Sequence, residues 1–357
     1  KPGLYSAFIC LFWPAAAPDA VSWGAAVPLL LQTLLVWVVG LFLFLKSAKA
    51  KSLSAKWISI FWLYDPGLFI YSALFMSDAL CAVLVFALAL AIREKRNGWI
   101  GFFLGLIVLA RNIGSILALW TITILIWQYT TELAKNRSLR KIAITIGILF
   151  SVVIPQVIYN GVVNHSWRLG TQANTWTPTV ASIVAFDGSG LDSLEAEMRW
   201  FREGHSSADA WRVLIDKWPT TIKYFTRGWM RVLFGHVNTE ATYLVTGRSP
   251  IGPGWFTVPT NWSGPRVSGP WVYVWIFGVV FSAVLSALLY GIVLRKFWKK
   301  KAFGKLFSNT FVLWAVGSIF VFVLSPVLYG DARFRIQVLA PLLLIWLLVE
   351  RSKGVKE

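Results

Sequence analysis

Histidine, cysteine and acid are what this chain has least of. Its 357 residues include 3 His and 2 Cys. His165, His205 and His236 show no HExxH or other metal-ligand spacing, and Cys10 and Cys81 lie far apart in apolar surroundings. These spacings indicate neither a zinc site nor a disulfide framework. No Walker loop and no G-x-G-x-x-G run follows a strand pattern, so soluble nucleotide binding has no support. Only 16 residues are Asp or Glu against 34 Lys and Arg, a net charge of +18. Nucleic-acid binding would ask for that charge as a basic face on a soluble module. The pattern described next gives it another meaning, and no nucleic-acid partner is expected.

What the chain has in excess is apolar surface. Apolar residues make up 57% and charged residues 14%, and the mean hydropathy is +0.64. A soluble core cannot hide that much. Crossing a bilayer takes about 20 mostly apolar residues per helix, and such stretches recur. They are Ala25 to Leu45, Lys56 to Ser72 (interrupted by Asp65, Pro66 and Gly67), Phe75 to Ile92, Gly98 to Ala110, Ile113 to Thr130, Ile142 to Val163, Trp271 to Leu294, Leu306 to Leu328 and Phe334 to Val349. Allowing for one broken segment, the expectation is an all-α polytopic membrane protein with about eight spans.

Short cytoplasmic loops collect Lys and Arg, whereas acidic residues matter little to orientation. Alternate connections carry Lys46, Lys49, Lys51 and Lys56; Arg93, Lys95 and Arg96; Lys135, Arg137, Arg140 and Lys141; and Arg295, Lys296, Lys299, Lys300, Lys301 and Lys305. Arg351, Lys353 and Lys356 follow in the tail, so more than half of the 34 basic residues fall on one side. The net charge thus reads as topology and contact with anionic lipid, with a cytoplasmic C-terminus. Residues 1–162 form an N-terminal membrane bundle, 163–270 an extracytoplasmic region of short helices and 271–357 the C-terminal helices and basic tail. Within the outer region, residues 163–191 read as loop, Asp192 to Glu203 as a short acidic helix, and 248–270 as a Gly- and Pro-rich return. Ala208 to Phe234 carries aromatics at helical spacing with Lys217, Lys223, Arg227 and Arg231 between them. That pattern fits a helix in the membrane interface, or one packed on its own domain, and Pro219 is expected to break it in two. Asn261, Trp262 and Ser263 match a glycosylation sequon. Residue 1 is Lys, in an extracytoplasmic segment with no helix before it, so the expectation is an N-terminal truncation.

Ionisable groups at the membrane edge are costly and therefore candidates for function. Asp78 follows Ser77 at the outer start of a helix, where the alternative is a helix cap. Asp65 precedes Pro66 and Gly67 and reads mainly as the break in its segment. Arg111 separates two apolar stretches and can reach a phosphate or carboxylate, or simply snorkel to the interface. Arg333 and Arg335 begin the last helix after Asp331, an arrangement suited to a lipid phosphate or to a structural Asp–Arg pair.

In this order the motifs resemble the GT-C membrane glycosyltransferases, in particular the bacterial family 39 type related to protein mannosyltransferases and to the aminoarabinose transferase of lipid A. KPGLYSAFICLFWP is similar to the family's Lys-Pro-Pro-x-Tyr segment, with Gly3 as a departure. SALFMSDALCAVLVFALALAIREKRN resembles its helix with an outer acidic start and a basic turn. GFFLGLIVLARN resembles its Gly-rich helix ending in Arg, with Asn112 where Pro is usual. DKWPTTIKYFTRGWMRVLF is similar to its interfacial helices, and YGDARFRIQVLAPLLLIW to its last helix.

The resemblance implies a GT-C-like bundle that transfers a sugar from a polyprenyl-phosphate donor to a glycan, lipid or protein at the outer face of a bacterial inner membrane. It implies that Lys1, Arg333 and Arg335 contact the donor phosphate and that Asp78 lines the same cavity; Arg111 is a further candidate for binding that phosphate, and Asp78 is the candidate catalytic carboxylate. Tyr5, Asp65 and Asp331 are further cavity candidates. The family's leading carboxylate is expected upstream of Lys1. A divalent metal fits the family, although no ligand cluster demands one. A transporter or flippase of a lipid-linked intermediate would share the helices and basic sites, against which stand the long outer region and the lack of repeats. A non-catalytic scaffold is the third class.

The topology has a direct test. On a background lacking Cys10 and Cys81, Ser206→Cys is expected to react with a membrane-impermeant maleimide added outside. Ser138→Cys should stay protected until the membrane is opened. Labelling of both from the same side would end the positive-inside assignment.

Overall fold

The computed structural model describes residues 23–48, 53–65, 68, 72, 77–111, 113–131, 135–163, 165, 167, 176–189, 193–234, 270–299, 309–324 and 332–351. Of Arg333 and Arg335 it describes the backbone. Lys1, Tyr5, Asp331 and the sequon at Asn261 lie outside the described residues. The described chain is nearly all helical and contains no strand.

The helices are α1 (Trp23–Ala48), α2 (Leu53–Leu63), α3 (Ser77–Arg93), α4 (Asn97–Ala110), α5 (Gly114–Thr131), α6 (Lys135–Val163), α7 (Trp176–Ala185), α8 (Ser193–Arg202), α9 (Ser207–Asp216), α10 (Trp218–Phe234), α11 (Pro270–Lys299), α12 (Thr310–Leu324) and α13 (Ala332–Arg351). Three are long and apolar enough to cross a membrane, over Val27–Lys46, Leu139–Val163 and Ile276–Arg295. Shorter apolar helices span Asn97–Ala110, Gly114–Gln128, Thr310–Val323 and Ile336–Trp346. At 14 residues, α4 is about 21 Å long at ~1.5 Å per residue.

The chain divides into two compact units, Lys1–Thr171 with Leu288–Ser325 and Arg333–Glu357, and Gln172–Ala287 with Pro326–Ala332. In the first, α3 is the buried helix. It packs against α1, α4 and α12, and Phe86 meets Phe42 edge-on at 5.8 Å and Trp62 at 5.7 Å. Such aromatic geometry adds dispersion and quadrupole attraction where lipid offers no hydrophobic drive. Helices α3 and α4 form a hairpin through a turn that satisfies the last carbonyls of α3. Lys95 takes φ +55°, its N–H bonds Ile92 O, and Arg96 N–H bonds Ala91 O. This is the Schellman arrangement, with Lys where Gly is usual.

Helix α4 lies on α6 at backbone distance. A Cβ on Gly101 would stand 2.3 Å from the Thr145 carbonyl oxygen, and one on Gly105 2.7 Å from Val152 Cβ. Gly101 and Gly105 are four apart, the small-xxx-small spacing that lets helices touch in a membrane. The Thr145 hydroxyl seals the contact by donating to Asn97 O at 3.1 Å. Between α5 and α12, Trp120 Nε1 donates to Trp314 O at 3.1 Å and Trp314 Nε1 to Thr121 Oγ1 at 2.9 Å. These bonds satisfy both indole N–H groups, which would otherwise stand unpaired in an apolar layer.

The second unit is built from amphipathic short helices around Val180, Ala181, Val184, Trp200, Ala210 and Leu214. Residues 163–191, expected as loop, contain α7, because Val180, Ala181 and Val184 need burial and find it against α8 and α9. The acidic helix expected over Asp192 to Glu203 is α8, over Ser193–Arg202, with Arg199 and Arg202 in its last turn. The expected break comes at Lys217, so that Pro219 occupies the first turn of α10, where its missing N–H costs nothing. Ser206 and Asp209 close a capping box on α9, a local bond pair that fixes a helix start. Tyr224 donates to Asp187 at 2.5 Å, and Lys223 lies 3.4 Å away. Those bonds, the tyrosine's first, hold the Asp187 carboxyl below its ordinary range. The basic cluster assigned to the third cytoplasmic connection lies on the first turns of α6, which begins at Lys135 rather than at Ile142.

The glycine contact separates two substitutions of one kind. Gly101→Ala is expected to lower stability by about 1–3 kcal/mol through overpacking. Gly147→Ala, on the same helix pair but with nothing within 4 Å of the new Cβ, should be neutral or stabilising by up to ~1 kcal/mol. Thermal unfolding in detergent reads both, and equal midpoints would refute the close approach of α4 to α6.

Candidate functional site

Three helix ends meet in the first unit. Asp78 lies in the first turn of α3, Arg111 directly follows α4, and Gln337 lies in the second turn of α13. The α3–α4 hairpin explains the first two, because antiparallel partners bring the start of one beside the end of the other. The helices favour the charges they carry, a carboxylate at an N-terminus and a guanidinium at a C-terminus.

Arg111 Nη1 donates to Asp78 Oδ1, and Gln337 Nε2 donates to the same oxygen at 3.3 Å. The side chains of Asp78 and Arg111 are 5% and 15% exposed, and Gln337 is fully buried. One turn beyond Asp78, Cys81 is also fully buried. The carboxylate is therefore held between two helices other than its own, and not as a cap on α3. Arg111 is held by a buried partner, which is not the geometry of a side chain snorkelling to water. Its C-terminal position is fixed by a sharp turn. Arg111 is in extended conformation (φ −151°, ψ 141°), and Gly114 N–H bonds Arg111 O at 2.9 Å. A Cβ at Gly114 would stand 2.6 Å from the backbone of Ile107 and Val108, so only glycine lets α5 begin against the last turn of α4.

The other sequence candidates divide. Asp65 is buried and its Oδ1 accepts the Leu68 N–H at 3.0 Å. Arg333 and Arg335 lie at the start of α13, four and two residues before Gln337. By helical register Arg333 and Gln337 share one face. Lys1, Tyr5 and Asp331 lie outside the described residues. Among the described residues no group of three or more His, Cys, Asp and Glu is arranged to hold a metal ion.

Sequence reasoning missed Gln337. The signal was present, since it is a single amide in the otherwise apolar run Ile336 to Trp346, where a polar side chain has reason to bond another helix. Chemically, the cluster presents a guanidinium whose position is fixed by a carboxylate, a cation of the kind that recognises a phosphate or carboxylate.

Comparisons with protein-family models, with curated proteins and with solved structures returned no match.

A double-mutant cycle measures how much the fold depends on the pair. Asp78→Leu and Arg111→Met are each expected to cost about 3–5 kcal/mol, since each leaves a buried charge unpaired, whereas the double variant should recover most of that loss. Additive losses in chemical denaturation would show that the two side chains do not interact.

Proposed function

We propose that this chain is a GT-C-type membrane glycosyltransferase that moves a sugar from a polyprenyl-phosphate donor to a hydroxyl acceptor at the extracytoplasmic face. The observation that carries the reading is the buried Asp78–Arg111–Gln337 cluster, at the end of the α3–α4 hairpin opposite the basic turn of Arg93, Lys95 and Arg96. A fixed guanidinium at that end, near the first turns of the helix that bears Arg333 and Arg335, is what recognition of a lipid phosphate requires. The reading includes about eight spans, several of them from helices too short to cross alone, and a bacterial inner membrane with the lysine-rich side cytoplasmic.

In the reaction the acceptor hydroxyl loses its proton to a carboxylate and its oxygen attacks the anomeric carbon. The bond from that carbon to the phosphate oxygen breaks, and the electron pair leaves with the polyprenyl phosphate. Arg111 stabilises the charge that grows on the departing phosphate, an interaction stronger in the transition state than in the ground state. Asp78 was the candidate base from sequence. With its oxygen engaged by Arg111 and Gln337, it serves this mechanism better as the group that aims Arg111, and the proton goes to another carboxylate. The acceptor class, glycan, lipid or protein, is left open by these groups.

Label transfer from radiolabelled polyprenyl-phosphate sugars, with the protein in membranes, tests the reading. Arg111→Ala is expected to lower transfer by roughly 10²–10³-fold, and Asp78→Asn to lower kcat more than it raises KM. A wild-type protein that consumes no donor sinks the proposal. If it instead carries labelled lipid across a reconstituted bilayer, it is a transporter of the same ligand.

A further inference from the structure

Gln337 has one bond too few. Its Nε2 donates to Asp78 Oδ1 at 3.3 Å, while its Oε1 is buried with no hydrogen-bond partner among the described residues. The opposite amide orientation would set Oε1 against the carboxylate oxygen, acceptor against acceptor, so the donor end belongs on Asp78. Native structures leave few buried acceptors unmet, because each forfeits the bonds it had with water. A leucine or methionine at this position would pack in the apolar layer without that penalty. The amide therefore points to a second task beyond bracing Asp78.

Its neighbours define the task. Gln337 and Arg111 bond the same oxygen of the same carboxylate, so the unmet acceptor and the guanidinium share one small site. Arg111 suits an anion, whereas Oε1 can take only a donor, an O–H or N–H. A ligand that satisfies both carries a phosphate and, close to it, a hydroxyl group. We infer that Gln337 is a specificity-determining residue whose Oε1 accepts a hydrogen bond from a hydroxyl of the sugar that the Arg111-bound phosphate carries. This rests on the glycosyltransferase reading and adds to it a division of labour. Arg111 recognises the phosphate that every polyprenyl phosphate has, and Gln337 recognises the sugar that only a loaded donor has.

The test compares two probes, polyprenyl phosphate and the same lipid bearing a hexose, bound to the whole protein in nanodiscs. Wild type is expected to prefer the hexosyl lipid. Gln337→Met, which keeps the length of the side chain but neither polar atom, should weaken binding of both lipids through the lost bond to Asp78, and that of the hexosyl lipid about tenfold further, so that the preference falls by about tenfold. Equal weakening towards both probes would mean that Gln337 acts only by positioning Asp78 and Arg111, and would overturn the inference while leaving the glycosyltransferase reading intact. No change towards either probe overturns it as well, since Oε1 then meets no ligand. A wild type that binds neither lipid removes the reading and the inference together. Should Gln337→Met fail to fold, wild type is tested with hexosyl lipids lacking one hydroxyl each. One of them must lose about tenfold in affinity, and uniform affinity across the series refutes the contact.

Discussion

An ion pair taken out of water sets the terms for the first unit. Asp78 and Arg111 each cost several kcal/mol to desolvate, and their attraction returns that only with good geometry and further hydrogen bonds. The fold supplies both. A hairpin with a Schellman turn fixes α3 against α4, two glycines fix α4 against α6, and a glycine after Arg111 turns the chain sharply enough to hold the guanidinium in place. Gln337 brings α13 to the same carboxylate. The pair is thus less a source of stability than a demand on the packing around it, since apolar side chains would pack there at lower cost.

The elements that meet this demand differ in how plainly the sequence announces them. Helices α1, α6 and α11 are legible from length and hydropathy alone, because the bilayer imposes both. The division of Ala208 to Phe234 was legible from a single residue, Pro219, through its missing N–H. Helix α7 was not. Its ten residues include two Thr, two Val and an Ile, types with modest helix propensity, and tertiary burial of Val180, Ala181 and Val184 is what makes them helical.

The site shows the same limits. Asp78 and Arg111 stood out as charges beside apolar runs, yet nothing local said that they were partners, since the spacing of 33 residues acquires meaning only once α3 and α4 fold back on each other. Gln337, neutral and 259 residues from Asp78, was hidden by the arginines before it. Asp65 carried the same charge as Asp78 in a similar setting; its Oδ1 accepts a backbone N–H three residues on, whereas Oδ1 of Asp78 accepts from Arg111 and Gln337. Charge in an apolar stretch identifies where to look, and the partner decides what the charge is for.

The shortness of α4 has a consequence for the lipid. Its 14 residues cover about 21 Å, some 9 Å less than a hydrocarbon layer of ~30 Å. Such a hydrophobic mismatch is met by thinning the bilayer or by admitting water at one end. In the proposed reading, in which α4 is one of the spans, the end that bears Arg111 is where polar groups gather, and the membrane would be drawn down to the ion pair there. Bilayer thickness then becomes a variable of the site itself, and the host membrane, as much as the protein, sets how far beneath the surface its fixed charge lies.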